Sequence, residues 1–235
     1  MLQNMTKNEN PVLFVDNVIF GFDPKDKQLK ILIMKRSESK YSLVGGRVKS
    51  DENAKTAAIR ETFAETSVKI DNNRQMWQIG AFTEPGRDSR YWSLTIAHST
   101  FLYPFVPQNE LRNENAQWLT IKNDGKITFE NGNQIVNLSD LEFDHKDIIE
   151  TTFARIRASL NFSPDIVRTL GNEFSIRQAL DIYSIFDEKY RQMTTSNFVK
   201  IFVKSRQIFR DTGKSQKQRT AVGGRPQKLI ALNED

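Results

Sequence analysis

A glycine pair followed by an acidic helix is the sequence feature that most constrains this fold. Gly45 and Gly46 end an apolar run with a sharp turn, and Asn53 is predicted to cap the next helix, because its side chain can accept from the free first-turn amides. Glu61 and Glu65 are four residues apart, so both carboxylates project from one helix face. Carboxylates beside a glycine turn suit a divalent cation such as Mg²⁺. The alternative is an ordinary amphipathic helix.

The spacing of this stretch resembles the Nudix box, a pattern of a glycine, an early glutamate, an Arg-Glu pair and a later Glu-Glu pair. The matching positions are Gly46, Glu52, Arg60, Glu61 and Glu65. The departures are Ala64 for the first Glu of the Glu-Glu pair, Ser67 for the last glycine and Thr62 for an apolar residue. The match covers five fixed positions, so the resemblance implies the Nudix scaffold.

The departure at Ala64 bears on catalysis. In the hydrolases of this family the box glutamates hold the catalytic metals, and losing one carboxylate removes a full negative charge from the metal site. The resemblance therefore implies no catalytic residue and a weak or absent metal site at Glu61 and Glu65. We expect a protein that is not an enzyme and requires no cofactor. The alternative is residual Mg²⁺-dependent ADP-ribose pyrophosphatase activity.

Charge is unevenly distributed along the 235 residues. The whole chain carries +5, whereas residues 191–228 contain ten basic side chains and one acidic one, a net charge of +9 that leaves −4 for the remainder. This asymmetry predicts a polyanionic partner for the carboxyl-terminal part. A hydrophobic share of 38% with 16 Phe is enough for folded cores. The chain has no run near eighteen apolar residues, no leader pattern and no Cys, so we expect a cytoplasmic protein without a membrane segment.

Alternating and β-branched runs predict the strands of the amino-terminal part. Val12–Phe20 and Leu29–Met34 should pair, and Met76–Phe82 and Trp92–Tyr103 should flank the loop at 83–90. Residues 122–140 are predicted to form a surface loop or hairpin with a short strand-like stretch at 127–129. With the Nudix resemblance, the expected fold class is α/β, in the form of an α+β Nudix-like sandwich around a mixed sheet.

Basic side chains near this loop predict a site for an anionic effector. Paired arginines can hold a pyrophosphate or sugar phosphate through bidentate hydrogen bonds, and the equally weighted alternative is a solvated hairpin with one Arg–Asp pair. The predicted effector-binding residues are Arg36, Arg47, Glu61, Glu65, Arg87, Asp88 and Arg90. His145 is predicted to be a structural or capping residue at the start of a helix at 144–160.

The carboxyl-terminal part has the pattern of a winged helix-turn-helix. Helices are predicted at Phe174–Tyr190, capped by Ser175, and at Asn197–Arg206, followed by a hairpin of Ile208–Arg210 with Gln227–Leu232. The predicted DNA-binding residues are Thr195, Ser196, Asn197, Lys200, Lys204, Lys214, Lys217, Arg219, Arg225 and Lys228. The alternatives are a solubilising basic tail and a protein-binding winged helix.

Four short segments together resemble the Nudix-related transcriptional regulators, the NrtR family. They are Pro85–Arg90, Asn115–Leu119, Phe143–His145 and Gly224–Pro226. The resemblance implies a Nudix-like effector domain at 1–143, a linker helix region at 144–170 and a winged helix DNA-binding domain at 171–235. It implies a homodimer on an inverted-repeat DNA operator, repressing genes of NAD synthesis or salvage in response to ADP-ribose or a related nucleotide. A Nudix hydrolase and a regulator that senses a pentose sugar are the alternatives.

Overall fold

A mixed β-sheet forms the larger part of the computed structural model, which describes residues 10–70, 75–90, 92–216 and 226–233. Among the described residues nine strands join this sheet. They are β1 (Val12–Asp23), β2 (Gln28–Lys35), β3 (Tyr41–Ser42), β4 (Val44–Arg47), β5 (Met76–Phe82), β6 (Ser93–Leu102), β7 (Ala116–Asn123), β8 (Ile127–Asn131) and β9 (Gln134–Asn137). The predicted strand pairs are confirmed, with β1 antiparallel to β2 and β5 antiparallel to β6.

The sheet is mixed because β1 and β6 run parallel while their other neighbours are antiparallel. The order is β5-β6-β1-β2-β7-β8-β9, and β3 and β4 pair with β2 and β1 respectively. The β1–β2 turn uses Asp23, whose Oδ1 accepts from the Lys25 amide at 2.9 Å, and Lys27 with a φ of 58°. The expected α/β class with a mixed sheet is confirmed.

The stretch at 122–140 forms a hairpin, one of the two predicted forms, but it is not confined to the surface. β8 and β9 form a hairpin that extends the sheet, and Phe129 and Val136 are buried in the core. Alternate apolar side chains reach the core although Asn, Asp and Gly residues surround them, and this composition hides the strand pattern in the sequence.

Two helices cover the sheet. α1 (Ala54–Thr66) begins at Asn53, whose side chain accepts from the Thr56 amide at 2.9 Å, as predicted. α2 (His145–Ser159) confirms the predicted helix at 144–160 and buries Ile148, Phe153 and neighbouring apolar residues. The helix predicted as a linker is thus also part of the core.

The carboxyl-terminal unit contains two helices and a small sheet. Its elements are β10 (Phe174–Ser175), α3 (Ile176–Phe186), α4 (Thr195–Phe198), β11 (Phe209–Gln216) and β12 (Gln227–Leu232). The strand order β10-β12-β11, with the helix pair between the first and second strands in sequence, is the arrangement of a winged helix. Ser175 caps α3 through a reciprocal pair with Gln178, since each side chain accepts from the other residue's amide.

The second helix of this unit differs in geometry from the regular α-helix predicted at 197–206. Thr194 caps α4, and the chain continues from Val199 to Ser205 in π-helical turns before the Arg206 amide donates to the Ile201 carbonyl at 2.8 Å. Such turns are rare in proteins overall, and those that occur are often found at functional sites. Phe198 and Phe202 remain buried.

The two units share a continuous set of buried side chains. Phe20 of β1, Phe153 of α2 and Phe186 of α3 form a ring cluster, with 4.9 Å between the Phe153 and Phe186 centroids. Across the same junction Asn123 Nδ2 donates to the Ile185 carbonyl at 2.7 Å. Within the described ranges we find no helix with the length and apolarity that crossing a membrane requires.

Candidate functional site

The predicted sharp turn at Gly45 and Gly46 is wrong, because both glycines are extended within β4, where they pair with β1 and lie against the acidic face of α1. A Cβ at Gly45 would lie 2.2 Å from the Val15 carbonyl oxygen, a backbone atom, so this position needs glycine, and Gly46 lies against the Glu61 carboxylate. The Gly45 amide donates to Glu65 Oε2 at 3.0 Å. Glu61 and Glu65 of α1, the two glutamates that the sequence singles out, therefore both contact β4.

Arginine side chains hold the box carboxylates. Arg36 Nη2 donates to Glu65 Oε1 at 2.9 Å. Arg60 bridges Glu52 and Glu61, with its Nε 2.9 Å from Glu52 Oε2. Hydrogen bonds from Arg60 lower the pKa of Glu52 to about 2. Each carboxylate is thus an anion that already has a cationic partner.

These residues do not fit a cluster of catalytic divalent cations. In the described part of the chain no group of three or more His, Cys, Asp or Glu side chains is arranged to hold a metal ion. Ala64 contributes no oxygen where the box pattern has a glutamate, and Arg36, which lies outside the box, already donates to Glu65. The weak metal site expected at Glu61 and Glu65 remains a prediction.

A cleft of about 330 Å³ opens beside the glycine pair of β4. It lies between β1, this glycine pair, the loop at 83–90 and the start of α2. Four of the seven predicted effector residues line it, namely Arg36, Arg87, Asp88 and Arg90. Arg47 is exposed at the end of β4, and Glu61 and Glu65 contact the glycine pair without lining the cleft.

Arg87 is nearly buried at the wall of the cleft. Its side chain is only 5% exposed, and its Nε and Nη2 donate to the two carboxylate oxygens of Asp144 at 2.8 and 2.6 Å. Nη2 also lies 3.4 Å from Asp16. Burial acts to lower the pKa of Arg87, but the hydrogen bonds to Asp144 raise it overall. Arg87 therefore links the loop to the first residues of α2, and its predicted contact with an effector remains a prediction.

His145 takes part in the same buried network. The Leu43 amide donates to its Nδ1 at 3.0 Å, which leaves the ring proton on Nε2, 3.3 Å from Asp16 Oδ1. Burial acts to raise the pKa of Asp16, but His145 and Arg87 outweigh this effect and lower it. His145 therefore connects β1, the segment before β4 and α2.

The Arg–Asp pair anticipated in the loop is present. Arg90 Nε and Nη2 donate to Asp88 at 2.9 and 2.8 Å, and these hydrogen bonds lower the pKa of Asp88. The Arg90 side chain is 60% exposed and its guanidinium lies 5.2 Å from the ring centre of Phe143. The Arg90 guanidinium is thus oriented by Asp88, and its side chain is largely exposed at the cleft.

Predicted DNA-binding residues are exposed on the second helix of the winged helix. The exposed set is Thr195, Ser196, Asn197, Lys200 and Lys204. On the wing strands Lys214 Nζ lies 2.8 Å from Glu173, and Lys228 Nζ lies 3.6 Å from Asp211. Lys217, Arg219 and Arg225 lie outside the described residues. Both described wing lysines therefore have acidic neighbours.

Sequence reasoning gave Asp16 no role in the cleft, and it marked Phe143 and Asp144 only as part of a segment that resembles the NrtR family. Asp16 and Asp144 accept the buried Arg87, and Phe143 lies at the rim. The signal available was weak, because an acidic residue at a helix start is common as a cap. Asp144 makes no side-chain hydrogen bond to its own helix, so its carboxylate serves Arg87.

Comparisons with known proteins agree with this architecture. The NUDIX domain family model matches residues 15–134. The chain is 27% identical over 183 residues to a protein of Acinetobacter baylyi described as an ADPR responsive transcriptional repressor, NtrR, covering 75% of this chain and 66% of that protein's length. A MutT/nudix family protein from Enterococcus faecalis is 26% identical with a TM-score of 0.77, over 98% of this chain and 90% of that one.

The fold is also that of NrtR from Shewanella oneidensis. The TM-score is 0.69 with 23% identity over 94% of each chain. The structure of the same protein complexed with a 27mer DNA gives a TM-score of 0.62 with 20% identity, over 94% of this chain and 93% of that one. These likenesses include the carboxyl-terminal unit. The family match spans half of the sequence and includes the box, the loop at 83–90 and most of the sheet. The chain belongs to the NUDIX domain family.

Proposed function

We propose that this protein is a DNA-binding transcriptional regulator that senses ADP-ribose or a related NAD metabolite through a degenerate Nudix domain. The observation that carries the proposal is the combination in one chain of a Nudix fold with arginine-paired box carboxylates and a winged helix with an exposed basic helix. The Nudix-like domain would comprise 1–143, the linker helix region 144–170 and the DNA-binding domain 171–235.

The second helix of the winged helix would read DNA. Thr195, Ser196 and Asn197 offer short polar side chains at its start, and Lys200 and Lys204 follow with positive charge. Cations that neutralise phosphates release condensed counterions, so the affinity should fall steeply with salt. Two such helices in a homodimer would require an inverted-repeat operator. The description of the Acinetobacter relative supports the role of repressor.

The cleft beside the glycine pair of β4 would bind the effector. Arg36 and Arg90 supply guanidinium groups at its wall, and such groups favour phosphate over neutral sugar hydroxyls. The volume of about 330 Å³ is at the lower end of ordinary ligand pockets, about 300–1,000 Å³. The relative's description as ADPR responsive supports ADP-ribose within the class of nucleotide ligands.

The contact between Arg87 and Asp144 would couple the two sites. A ligand that moves the 83–90 loop must also move Arg87, which holds the first residues of α2 through two hydrogen bonds. α2 packs on α3 of the winged helix through Phe153 and Phe186. Movement of α2 would therefore change the position of the DNA-reading helix. The ligand would shift operator affinity only if it binds the protein more tightly in one of these two positions than in the other.

DNA binding is the first test of the proposal. Duplex fragments enriched from a random pool by the full-length protein supply the operator, and fluorescence anisotropy measures affinity between about 50 and 200 mM salt. We expect Lys200→Ala with Lys204→Ala to weaken binding and to reduce the salt slope by about 2. The matched control is Lys49→Ala with Lys69→Ala, two exposed lysines of the Nudix domain, which should change neither quantity. A protein that enriches no sequence and ignores duplex DNA at low salt would refute the regulator.

Loss of hydrolysis forms part of the same proposal. We expect no enzyme-dependent AMP release from ADP-ribose with Mg²⁺, because the box lacks one carboxylate and the others are paired with arginines. Ala64→Glu is the matched variant, since it restores the missing carboxylate without altering the paired ones. Rapid AMP release by the unaltered protein would instead identify a hydrolase that uses Mg²⁺.

A further inference from the structure

A second cavity lies away from the box, where α2, the end of α3 and the turn between β7 and β8 meet. We call it the junction cavity, and its volume is about 540 Å³, within the usual range of about 300–1,000 Å³ for ligand pockets. Among the described residues, none lines both this cavity and the cleft beside the glycine pair of β4. The effector cleft therefore does not account for it.

Apolar side chains form one part of the junction cavity. Phe153 of α2 and Phe186 of α3 are nearly buried and pack on each other, with ring centroids 4.9 Å apart. Ile127, Leu138 and Ala154 are the other apolar residues of the lining. A hydrocarbon group that enters the cavity exchanges contact with water for contact with these side chains, which favours binding.

The charged part of the lining is mainly cationic. Lys126, Lys146 and Arg157 stand against one carboxylate, that of Glu150, which gives a net charge of +2. Lys126 Nζ lies 3.1 Å from Asn137 Oδ1, a neutral acceptor. Among the side chains that the structure describes, none forms an ion pair with Lys146. The cavity therefore has positive charge that its own lining does not neutralise, and this charge favours an anion.

Arg157 is the cation best placed beside the two rings. It follows Phe153 by one helical turn on the same face of α2, whereas Lys146 lies about 10 Å before Phe153 along the helix axis. Arg157 Nε is 3.6 Å from Asp187 Oδ2, beyond hydrogen-bond distance, and its side chain is 64% exposed. Lys189 Nζ is closer to the same oxygen, at 2.8 Å. Arg157 can therefore turn to an anion in the cavity while Asp187 keeps a cationic partner.

We propose that the junction cavity binds a small organic acid, with its carboxylate on Arg157 and its apolar body against Phe153 and Phe186. A sugar phosphate would leave the rings without an apolar partner, and a neutral hydrocarbon would leave the cations unpaired. The two sets of contacts together select a carboxylate that is carried by an apolar group. This ligand would occupy a site separate from that of the proposed effector.

Such a ligand would act at the contact between the two units. Asn123, which also lines the cavity, joins them through the hydrogen bond from its Nδ2 to the Ile185 carbonyl. A carboxylate on Arg157 would compete with Asp187 at the end of α3. Binding would thus change the contact of α2 with the winged helix, and with it the operator affinity. This consequence, unlike the binding itself, rests on the proposed function.

Benzoate is the probe, and two compounds serve as matched controls. Benzamide keeps the ring without the charge, and acetate keeps the charge without the ring. NMR titration of the isotope-labelled full-length protein measures the affinity and locates the ligand through the amide shifts. We expect benzoate to bind with a dissociation constant on the order of 1 mM and to shift the amides of Gly125 and Ala154. The two controls should bind at least about tenfold more weakly.

Two arginine substitutions on α2 form a matched pair. Arg157→Gln removes the charge that receives the carboxylate and should weaken benzoate binding at least about fivefold. Arg155→Gln removes the same charge from the same helix. Because Arg155 is exposed and does not line the cavity, this variant should change the affinity less than about twofold. Thermal unfolding without ligand verifies that both variants are folded.

Three results of the titrations would overturn the inference. Equal binding of benzoate and benzamide, or no amide shift at about 20 mM benzoate, would contradict a site for an organic acid. Shifts confined to Gly45 and Gly46 would place benzoate in the effector cleft instead. Equal weakening by the two arginine substitutions would attribute the binding to the general charge of the protein.

Operator titrations test the consequence for DNA binding. Saturating benzoate should change the operator affinity of the unaltered protein at least about twofold, and the same concentration should change that of Arg157→Gln less. An unchanged affinity in the unaltered protein would overturn the regulatory role of the cavity. Failure of the proposed function is distinguishable, because a protein that binds no operator DNA would still bind benzoate in the NMR titration.

Discussion

The start and the middle of α2 contact their surroundings by different chemistry. At its start Asp144 accepts two hydrogen bonds from the buried Arg87, at 2.8 and 2.6 Å. About two turns further along, Phe153 packs against Phe186 of α3 and Phe20 of β1, with ring centroids 4.9 and 6.0 Å apart. The first contact is ionic and borders the cleft, and the second is apolar and borders the winged helix.

This difference predicts different roles for the two contacts. An ion pair depends strongly on geometry and on nearby charge, so an anionic ligand beside it can change its strength. Packed aromatic rings are insensitive to charge and resist compression, so they transmit displacement. We therefore expect a bound ligand to act on α2 at Asp144, and the resulting displacement to reach α3 through Phe153. Substitutions at the two contacts distinguish these two roles.

Truncation of the apolar contact should have the largest effect. Phe186→Ala removes a buried ring that joins α3 to the sheet and to α2, and we expect the free energy of unfolding to fall by about 4 kcal/mol. Urea denaturation measures the change. The exposed Phe162→Ala should stay within about 0.5 kcal/mol. A small effect at Phe186 would mean that the two units fold without a common core.

Removal of the ionic contact should have the next largest effect. Arg87→Ala leaves Asp16 and Asp144 buried without their cationic partner, and we expect a loss of about 3 kcal/mol. Operator binding should persist at temperatures where the variant is folded, while its response to ADP-ribose is lost. Anisotropy with and without ligand measures that response.

The double variant Arg87→Ala with Asp144→Ala distinguishes a specific pair from general destabilisation. If the two residues act as a pair, the double variant should be more stable than the sum of the single losses predicts. Additive losses together with an unaltered ligand response would remove this contact from the coupling mechanism.

A milder change to the same contact should have a smaller effect. Asp144→Asn keeps an oxygen that can accept from Arg87 but removes the negative charge, and we expect a loss of about 1 kcal/mol. The response to ADP-ribose should weaken without disappearing. Chemical denaturation and the ligand-dependent operator titration measure these two quantities, and a loss as large as that of Arg87→Ala would show that charge alone holds the helix start.

Acid should weaken the ionic contact at the start of α2, and at neutral pH no such loss is expected. The pKa of Asp16 is lowered in the folded protein, so its contribution to stability is present above its ordinary value of about 3.8 and is lost as the pH falls through the lower folded value. Unfolding free energies between pH 7 and pH 3 should therefore decline less steeply in Asp16→Asn. Parallel curves for the two proteins would contradict this account.

Much of the fold could be predicted from local patterns in the sequence. The box helix with its Asn53 cap and the wing strand Gln227–Leu232 depend on residues close in the chain. The contact of Arg87 with Asp144 could not be predicted, because the two residues are 57 positions apart in the chain and Asp88, which is adjacent to Arg87, is the nearer carboxylate in the sequence.

The ion pair between Lys214 and Glu173 has a consequence for how the wing would meet a duplex. Glu173 immediately precedes β10, so the pair ties the wing strand to the start of the first helix of the reading unit. A wing with its direction set in advance loses less freedom on docking, which favours complex formation even though one of its lysines is partly neutralised. The acidic neighbour would thus serve orientation at the expense of attraction.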